Sequence, residues 1–182
     1  MTYAPHSFAI GIDLGGTNLK LALLDEQDRI IERISHPTSG GDGHDAVIAR
    51  MIDGVATLRG LPGGERATCI GVGVPGMVDM TTGITGDLPN LPGRWTGVPV
   101  GPLLAEASGL PVSLLNDGKA FAVAEHQRGA AAGAETALLA AVGTGIAGAV
   151  IAHNRVVFGV GGAAGEIGHL IVQPEGPRCT CG

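Results

Sequence analysis

The first part of the chain alternates short apolar runs with turns, a pattern that predicts the strands of a sheet. Apolar residues dominate 8–12 and 19–24, and residues 29–35 form a more polar run before a break rich in glycine. From 45 to 58, apolar side chains recur at helical spacing, and another apolar run follows at 68–74. The pattern predicts three consecutive antiparallel strands, an amphipathic helix packed on them, and a fourth strand.

The second part of the chain continues with alternating helical and extended segments. The predicted helices are residues 102–108 and 118–128, and the predicted strands are residues 111–115, 136–142, 147–152 and 170–172. This alternation favours an α/β fold.

The link between the first two predicted strands concentrates polar residues around two glycines. Gly15 and Gly16 separate the strands, with Asp13 before them and Thr17 and Asn18 after them. We expect the glycines to take the positive φ angles of a tight hairpin turn. Glycine lets backbone N–H groups approach an anion, and a carboxylate beside a phosphate normally holds Mg²⁺ or water. The turn is a candidate nucleotide-phosphate site, and a plain polar turn is the alternative.

A second glycine turn, Gly143-Thr144-Gly145, joins the strands predicted at 136–142 and 147–152. It suggests a duplicated architecture with two phosphate-binding turns, although tight packing alone also explains such glycines. Glycines at 71, 73 and 76, and again at 143, 145 and 148, match the dinucleotide pattern G-x-G-x-x-G. That fingerprint requires a helix to begin at its glycines, and neither segment continues with helical spacing, so we reject it.

The strand predicted at 111–115 leads into Asn116 and Asp117 at its carboxyl end, the edge where open α/β sheets bind ligands. Asp117 precedes a predicted helix, so it is a helix N-cap or a catalytic carboxylate, and one group can serve both roles. Asn90 lies in the proline-rich loop 87–95 with Trp95. This composition can line a polar pocket with one aromatic wall.

The last part of the sequence adds a polar loop and two cysteines. Glu166 lies in a glycine-rich loop and His169 follows three residues later, a spacing that can direct both side chains to one ligand. Cys179 and Cys181 come shortly afterwards, so His169 and the two thiolates could supply three of the four ligands of a structural Zn²⁺. Free cysteines are the alternative.

Composition narrows the classes of protein. The 182 residues are 45% hydrophobic and 15% charged with a mean hydropathy of +0.31, which suits one domain, or one and part of a second, and excludes disorder. No run approaches the ~20 apolar residues of a membrane span, and no secretory signal is evident, so we expect a cytoplasmic protein without a membrane partner. The net charge of −6 argues against binding nucleic acid, because phosphates need a basic face.

Considered together, seven segments resemble the ROK family of sugar kinases and sugar-responsive repressors, and most of all ROK glucokinases. In chain order they are DLGGTN, GVPGMVD, NLPGRW, LLND, GTGIAG, GAAGEIGH and CTCG. The resemblance implies an actin-like (ribonuclease H-like, hexokinase-type) fold of two α/β domains that bind ATP and sugar in the cleft between them. Residues 1–115 would form the first domain, and residues 116–182 would begin the second and end inside a zinc knuckle.

The resemblance also implies an activity: ATP-dependent phosphorylation of the 6-hydroxyl of a hexose, most like a glucokinase of glycolysis, with Asp117 as the base. The ATP phosphates and Mg²⁺ would be held by Asp13, Gly15, Gly16, Thr17, Asn18, Gly143, Thr144 and Gly145. The sugar would be bound by Asn90, Asn116, Asp117, Glu166 and His169. Structural Zn²⁺ would be held by His169, Cys179 and Cys181.

The sequence departs from the family pattern at two points. The family usually continues its knuckle as CxCGxxGCxE, which supplies another zinc thiolate and a sugar-binding glutamate, whereas this sequence stops at Gly182. We therefore expect a truncated chain that also lacks the adenine pocket. Gly118 and Lys119 replace the family's usual small residue and Asn after Asp117, a change that could alter the orientation of the sugar.

Other functions stay open as alternatives. A sugar-responsive repressor of the same family would carry a helix-turn-helix domain before the first hairpin, and only eight residues precede Ala9. A noncatalytic sugar-binding remnant would bind a hexose without forming ADP. Among kinases, the hexose is open between glucose, fructose, mannose, N-acetylglucosamine and N-acetylmannosamine, and a homodimer is a further expectation from the family.

Overall fold

The computed structural model describes residues 7–143 and 145–178. These residues form two compact units, divided between Asp117 and Gly118. No helix within the described ranges is long and apolar enough to cross a membrane.

The first unit is built on a five-stranded mixed sheet. The strands of the whole unit, in chain order, are β1 (Phe8–Leu14), β2 (Asn18–Leu24), β3 (Ile30–Pro37), β4 (Ala67–Val74), β5 (Val78–Asp79), β6 (Ile84–Thr85) and β7 (Val112–Asn116). The large sheet has the order β3-β2-β1-β4-β7, and β5 and β6 form a separate hairpin. The first three strands are an antiparallel meander, as predicted, and β4 and β7 run parallel to β1 and to each other.

One face of this sheet carries the main hydrophobic core. Helices α1 (His44–Arg59) and α2 (Val100–Ser108) pack there. Every second residue of β1 is buried, which is the periodicity of a strand with one covered face. In α1 the buried residues recur at helical spacing. The apolar face of the helix and the apolar face of the sheet therefore form one core. The predicted helix at 45–58 is confirmed to within one residue at each end.

The parallel strands bring polar residues to one edge of the sheet. Asp13, near the end of β1, is in register with Gly73 of β4, and Val74 is in register with Asn116, the last residue of β7. Neighbouring strands lie about 4.8 Å apart, so the ends of β1 and β7 flank the end of β4. Asp13 and Asn116 therefore lie at the same carboxyl edge, and Asp117 follows directly.

Helix α3 (Asp117–Arg128) spans the division between the units. Its first residue, Asp117, belongs to the first unit, and the rest of the helix belongs to the second. Strands β8 (Ala137–Val142), β9 (Ile146–Ala152) and β10 (Arg155–Val157) follow as an antiparallel meander of order β10-β9-β8. This meander has the same topology as β1, β2 and β3. The buried core here is small: Ala122, Ala131, Leu139, Ala149 and Ile151.

Two expectations about local structure are settled by these elements. Both glycine patterns considered as dinucleotide fingerprints are followed by strands, β5 after the first and β9 within the second, which confirms their rejection. The predicted strand at 170–172 is wrong: Leu170, Ile171 and Val172 are 67%, 84% and 91% exposed and lie in no strand. They have no ladder partner among the described residues, and an apolar run forms a strand only beside another strand.

Candidate functional site

The turn between β1 and β2 is held in shape by a threonine that follows β3. The Thr38 hydroxyl donates to the carbonyl oxygen of Gly15 at 2.6 Å, and the Thr38 N–H donates to that of Thr17 at 2.8 Å. The turn also closes on itself, since the Gly15 N–H donates to the carbonyl of Asn18 at 3.0 Å. Thr38 is fully buried, so these bonds are protected from water. The sequence showed no pattern that singled out Thr38.

Glycine is required in this turn by packing, and the expected positive φ angles are wrong. Neither Gly15 nor Gly16 has a positive φ. A Cβ built on Gly15 would lie 2.9 Å from the carbonyl oxygen of Asn18, and one built on Gly16 would lie 2.6 Å from that of Asn90. Both distances are far shorter than a normal carbon–oxygen contact. The turn takes glycine because backbone carbonyls pass directly over it.

The close approach of Gly16 to Asn90 brings two predicted site residues together. Asn90 belongs to the loop after β6, and this loop is anchored by Trp95, which is 2% exposed. The indole N–H donates to the carbonyl of Pro92 at 3.2 Å, and the Thr85 hydroxyl donates to the carbonyl of Trp95 at 2.6 Å. Trp95 is therefore an internal anchor of the loop, and the expected aromatic wall of a polar pocket is wrong.

Asp13 is accessible beside this turn. It is the cross-strand partner of Lys20, and the Lys20 Nζ lies 3.8 Å from the Asp13 Oδ2. The side chains are 56% exposed for Asp13 and 61% for Lys20, so the ion pair is weak and screened by water. An exposed carboxylate at the end of a parallel strand, next to a glycine turn, is available to a cation or to water.

Asn116 and Asp117 lie where β7 changes into α3. The Asn116 side-chain amide donates to the carbonyl of Gly76 at 3.2 Å, which ties the end of β7 to the turn after β4. Asp117 is the first residue of α3. The N-terminus of a helix carries a partial positive charge, and negatively charged groups are stabilised near it. A helix-terminal role for Asp117, one of the two roles predicted from sequence, is thus compatible with chemistry at the same group.

The glycine turn between β8 and β9 differs from the first. The Gly143 N–H donates to the carbonyl of Gly145 at 2.9 Å, and Gly143 has no positive φ. A Cβ built on either glycine would meet no described atom within 4 Å. Thr144, a predicted phosphate ligand, lies outside the described residues. Within the described residues, packing therefore gives no reason for glycine in this turn.

Glu166 and His169 share one short turn in the second unit. The His169 N–H donates to the carbonyl of Glu166 at 3.1 Å, at a 3₁₀ turn formed by residues 167–169. The Glu166 carboxylate is fixed from the other side by Lys119, whose Nζ lies 2.7 Å from Oε1. The Lys119 side chain is 1% exposed and the Glu166 side chain is 33% exposed. In the sequence, Lys119 stands out only as a departure from a family pattern, and no local pattern pairs it with Glu166.

The predicted zinc site cannot be assembled from the described residues. His169 is described, but Cys179 and Cys181 lie outside the described residues. The described ranges contain no group of three or more His, Cys, Asp or Glu side chains suited to a metal ion. The zinc site stays a prediction.

Comparison with known proteins places these features in a family. Residues 9–182 match the model of the ROK family. A glucokinase from Thermotoga maritima is 37% identical over 173 residues, which are 95% of this chain and 53% of the relative. The chain thus spans about half the length of the curated relatives it matches.

Solved structures agree with this match. A ROK family glucokinase from Streptomyces griseus, in complex with glucose and AMPPNP, superposes with a TM-score of 0.83 at 30% identity, over 96% of this chain and 54% of that one. A ROK family transcriptional regulator, a homologue of the E. coli MLC protein, superposes with a TM-score of 0.82 at 27% identity, over 96% of this chain and 44% of that one. The fold is the actin-like α/β fold of ROK kinases, as the resemblance implied.

Proposed function

The chain belongs to the ROK family, and we propose that it carries the hexose-binding residues and part of the ATP site of an ATP-dependent hexose kinase, most like a glucokinase. The observation that carries this proposal is the convergence at the carboxyl edge of the first sheet. There the exposed Asp13, the glycine turn with Asn90 against it, and Asn116 with Asp117 meet around the end of β4. A sugar kinase needs these three functions: a phosphate site, a sugar site and a base.

The β1–β2 turn is the proposed phosphate site. Its residues fit ATP and Mg²⁺, because the Asp13 carboxylate beside the turn is exposed. Thr17 and Asn18 would add polar groups beside these glycines, and Gly143, Thr144 and Gly145 are also proposed to hold the phosphates. When bound, Mg²⁺ offsets the charge that develops on the transferred phosphoryl group. Asp13 would hold the ion directly or through water.

Asp117 is the proposed base. It would accept the proton of the sugar 6-hydroxyl while that oxygen attacks the γ-phosphorus, a role that requires an ionised carboxylate within hydrogen-bond reach. It is the first residue of α3, and negatively charged groups are stabilised near a helix N-terminus. The hydrogen bond from Asn116 to Gly76 would hold the end of β7, and with it the adjacent Asp117, in place.

The sugar would be oriented by Asn90, Asn116, Glu166 and His169. Side-chain amides both donate to and accept from ring hydroxyls, and a carboxylate accepts from them. In addition, His169, Cys179 and Cys181 would hold a structural Zn²⁺ as three of its four ligands, through neutral imidazole and thiolates.

The experiment that tests this function uses the 182-residue chain and one substitution. Calorimetric titration with glucose, fructose, mannose and the N-acetylhexosamines should reveal selective binding of one hexose. A coupled assay then measures ADP release with that hexose in a chain extended to the length of its relatives. Asp117→Asn should retain binding and lower turnover by about 10²–10⁴-fold, the usual contribution of a positioned general base. Unchanged turnover in the variant would remove Asp117 from the mechanism.

A sugar sensor is the second candidate, because a ROK transcriptional regulator superposes as well as the kinase does. A sensor and a kinase share the sugar contacts but differ in phosphoryl transfer. Hexose binding without ADP formation, in a chain extended to the length of its relatives, would favour the sensor. ADP formation would exclude it as the sole function.

A further inference from the structure

Lys119 is a buried lysine near the start of α3, and its ammonium group contacts two oxygen atoms. It is the third residue of α3 and is 1% exposed. Its Nζ lies 2.7 Å from the Glu166 Oε1 and 3.1 Å from the carbonyl oxygen of Gly148 in β9. Lysine is almost never fully buried unless it is paired, because removing its charge from water is costly. The burial therefore needs the Glu166 carboxylate.

The segment that carries Glu166 lies flat on β9, and glycines make this possible. A Cβ built on Gly148 would lie 2.5 Å from the carbonyl oxygen of Gly165, and one built on Gly168 would lie 2.0 Å from that of Ile146. Gly165 itself has a φ of +78°. Backbone packed against backbone fixes the path of the segment but leaves the direction of the Glu166 side chain to other contacts.

Lys119 supplies that direction. Its ammonium group bridges β9 and the Glu166 carboxylate, so it joins three elements: α3, β9 and the segment 165–169. The ion pair has a buried end at Lys119 and an open end at Glu166, whose side chain is one-third exposed. A carboxylate fixed by a buried cation and open to solvent is preorganised to accept hydrogen bonds from a ligand.

We propose that Lys119 is a positioning residue that orients Glu166 toward the hexose and thereby sets the affinity for the sugar. This inference rests on the proposed hexose site.

The test is a double-mutant cycle in the full 182-residue chain, read out as glucose affinity by calorimetry. Lys119→Met keeps the length and apolar stem but removes the charge, and Glu166→Gln removes the carboxylate. We expect Lys119→Met to weaken glucose binding by about tenfold, and to have little further effect in the Glu166→Gln background, because it acts through that carboxylate. Equal weakening in both backgrounds, or unchanged affinity, would overturn the inference.

A second variant and a second readout keep the test decisive. Lys119→Gln is neutral but retains a donor, so we expect about threefold weaker binding if Lys119→Met fails to fold; wild-type affinity in Lys119→Gln would contradict the inference. Hydrogen exchange at Ile167 and His169 should be faster in either variant than in wild type, independently of sugar. If the wild-type chain binds no hexose, the proposed function fails, and this inference fails with it; if wild type binds and the variants match it, the inference alone fails.

Discussion

The two glycine turns have similar sequences but opposite surroundings. Each links the first two strands of an antiparallel meander, at residues 15–17 between β1 and β2 and at residues 143–145 between β8 and β9. In the first turn, carbonyl oxygens pass so close that a Cβ on Gly16 would lie 2.6 Å from Asn90. In the second, a Cβ on Gly143 or Gly145 would meet no described atom within 4 Å. A glycine in a turn thus has two physical explanations, which sequence alone does not distinguish.

The two meanders also differ in how far their side chains are covered by other elements. The first is covered on one face by α1 and α2 and contributes to a core of fully buried side chains. In the second, Leu138, Val142 and Ile146 are 65%, 79% and 55% exposed. The shared topology therefore carries a packed turn in one unit and an open turn in the other. We expect packing to require the glycines of the first turn, whereas only a bound ligand would require those of the second.

The largest effect is expected from Gly16→Ala. The new methyl group would collide with the backbone of Asn90, which is held by the buried Trp95 and cannot move away cheaply. We expect a loss of about 3 kcal/mol in the free energy of unfolding, at the upper end for overpacking. Urea unfolding followed by circular dichroism measures it.

Gly71→Ala is the matched control for this prediction. Gly71 lies in β4 of the same sheet, without a positive φ, and a Cβ there would meet nothing within 4 Å. We expect a change within about 0.5 kcal/mol, or a slight gain from the less flexible unfolded chain. Equal losses in the two variants would mean that the close contact over Gly16 does not explain its glycine.

A smaller effect is expected from Thr38→Val, which tests how the packed turn is held. Valine keeps the shape and the backbone N–H bond to Thr17 but removes the hydroxyl that donates to Gly15 at 2.6 Å. We expect destabilisation by about 1–2 kcal/mol, the cost of losing a buried hydrogen bond and leaving its partner unpaired. The same unfolding assay measures it.

Thr57→Val supplies the comparison for Thr38. The Thr57 hydroxyl donates to the carbonyl of Asp53 at 2.8 Å within α1, but this bond is exposed and water can replace it. We expect at most about 0.5 kcal/mol of destabilisation at such a site. A loss at Thr57 as large as that at Thr38 would argue that burial of the Thr38 hydroxyl has no special importance for the turn.

The limits of sequence reasoning follow from the range of each interaction. The strands and helices of the first unit could be predicted because their periodicity is local: β3 was expected at 29–35 and runs from Ile30 to Pro37. Thr38 and the Lys119–Glu166 pair could not, because each joins residues 23 or 47 positions apart. Such contacts leave no periodic signal in the sequence. The position of Asn116 and Asp117 at the carboxyl edge of the sheet could be predicted, because the end of a strand is a local feature of the sequence.

The Trp95 result shows a further limit of the same kind. A single tryptophan in a proline-rich loop suggested an exposed aromatic wall, yet the indole is buried beside Pro92. Composition indicates that a large apolar surface is present but not which side of it faces water. The exposed run at 170–172 is the converse case, because a strand depends on a neighbour that the run does not itself encode.

The smallest effect on stability is expected from Gly143→Ala, and here the two turns should separate most clearly. Alanine has room and needs no positive φ, so the free energy of unfolding should change by less than about 0.5 kcal/mol. If the open turn receives phosphate, the methyl group should obstruct the approach of the backbone and weaken MgATP binding by about tenfold in calorimetry. Gly41→Ala is the control, because a Cβ there also meets nothing within 4 Å and Gly41 lies outside the proposed site. Wild-type MgATP affinity in Gly143→Ala would show that the nucleotide does not contact the open turn. The two hairpins would then differ in packing alone.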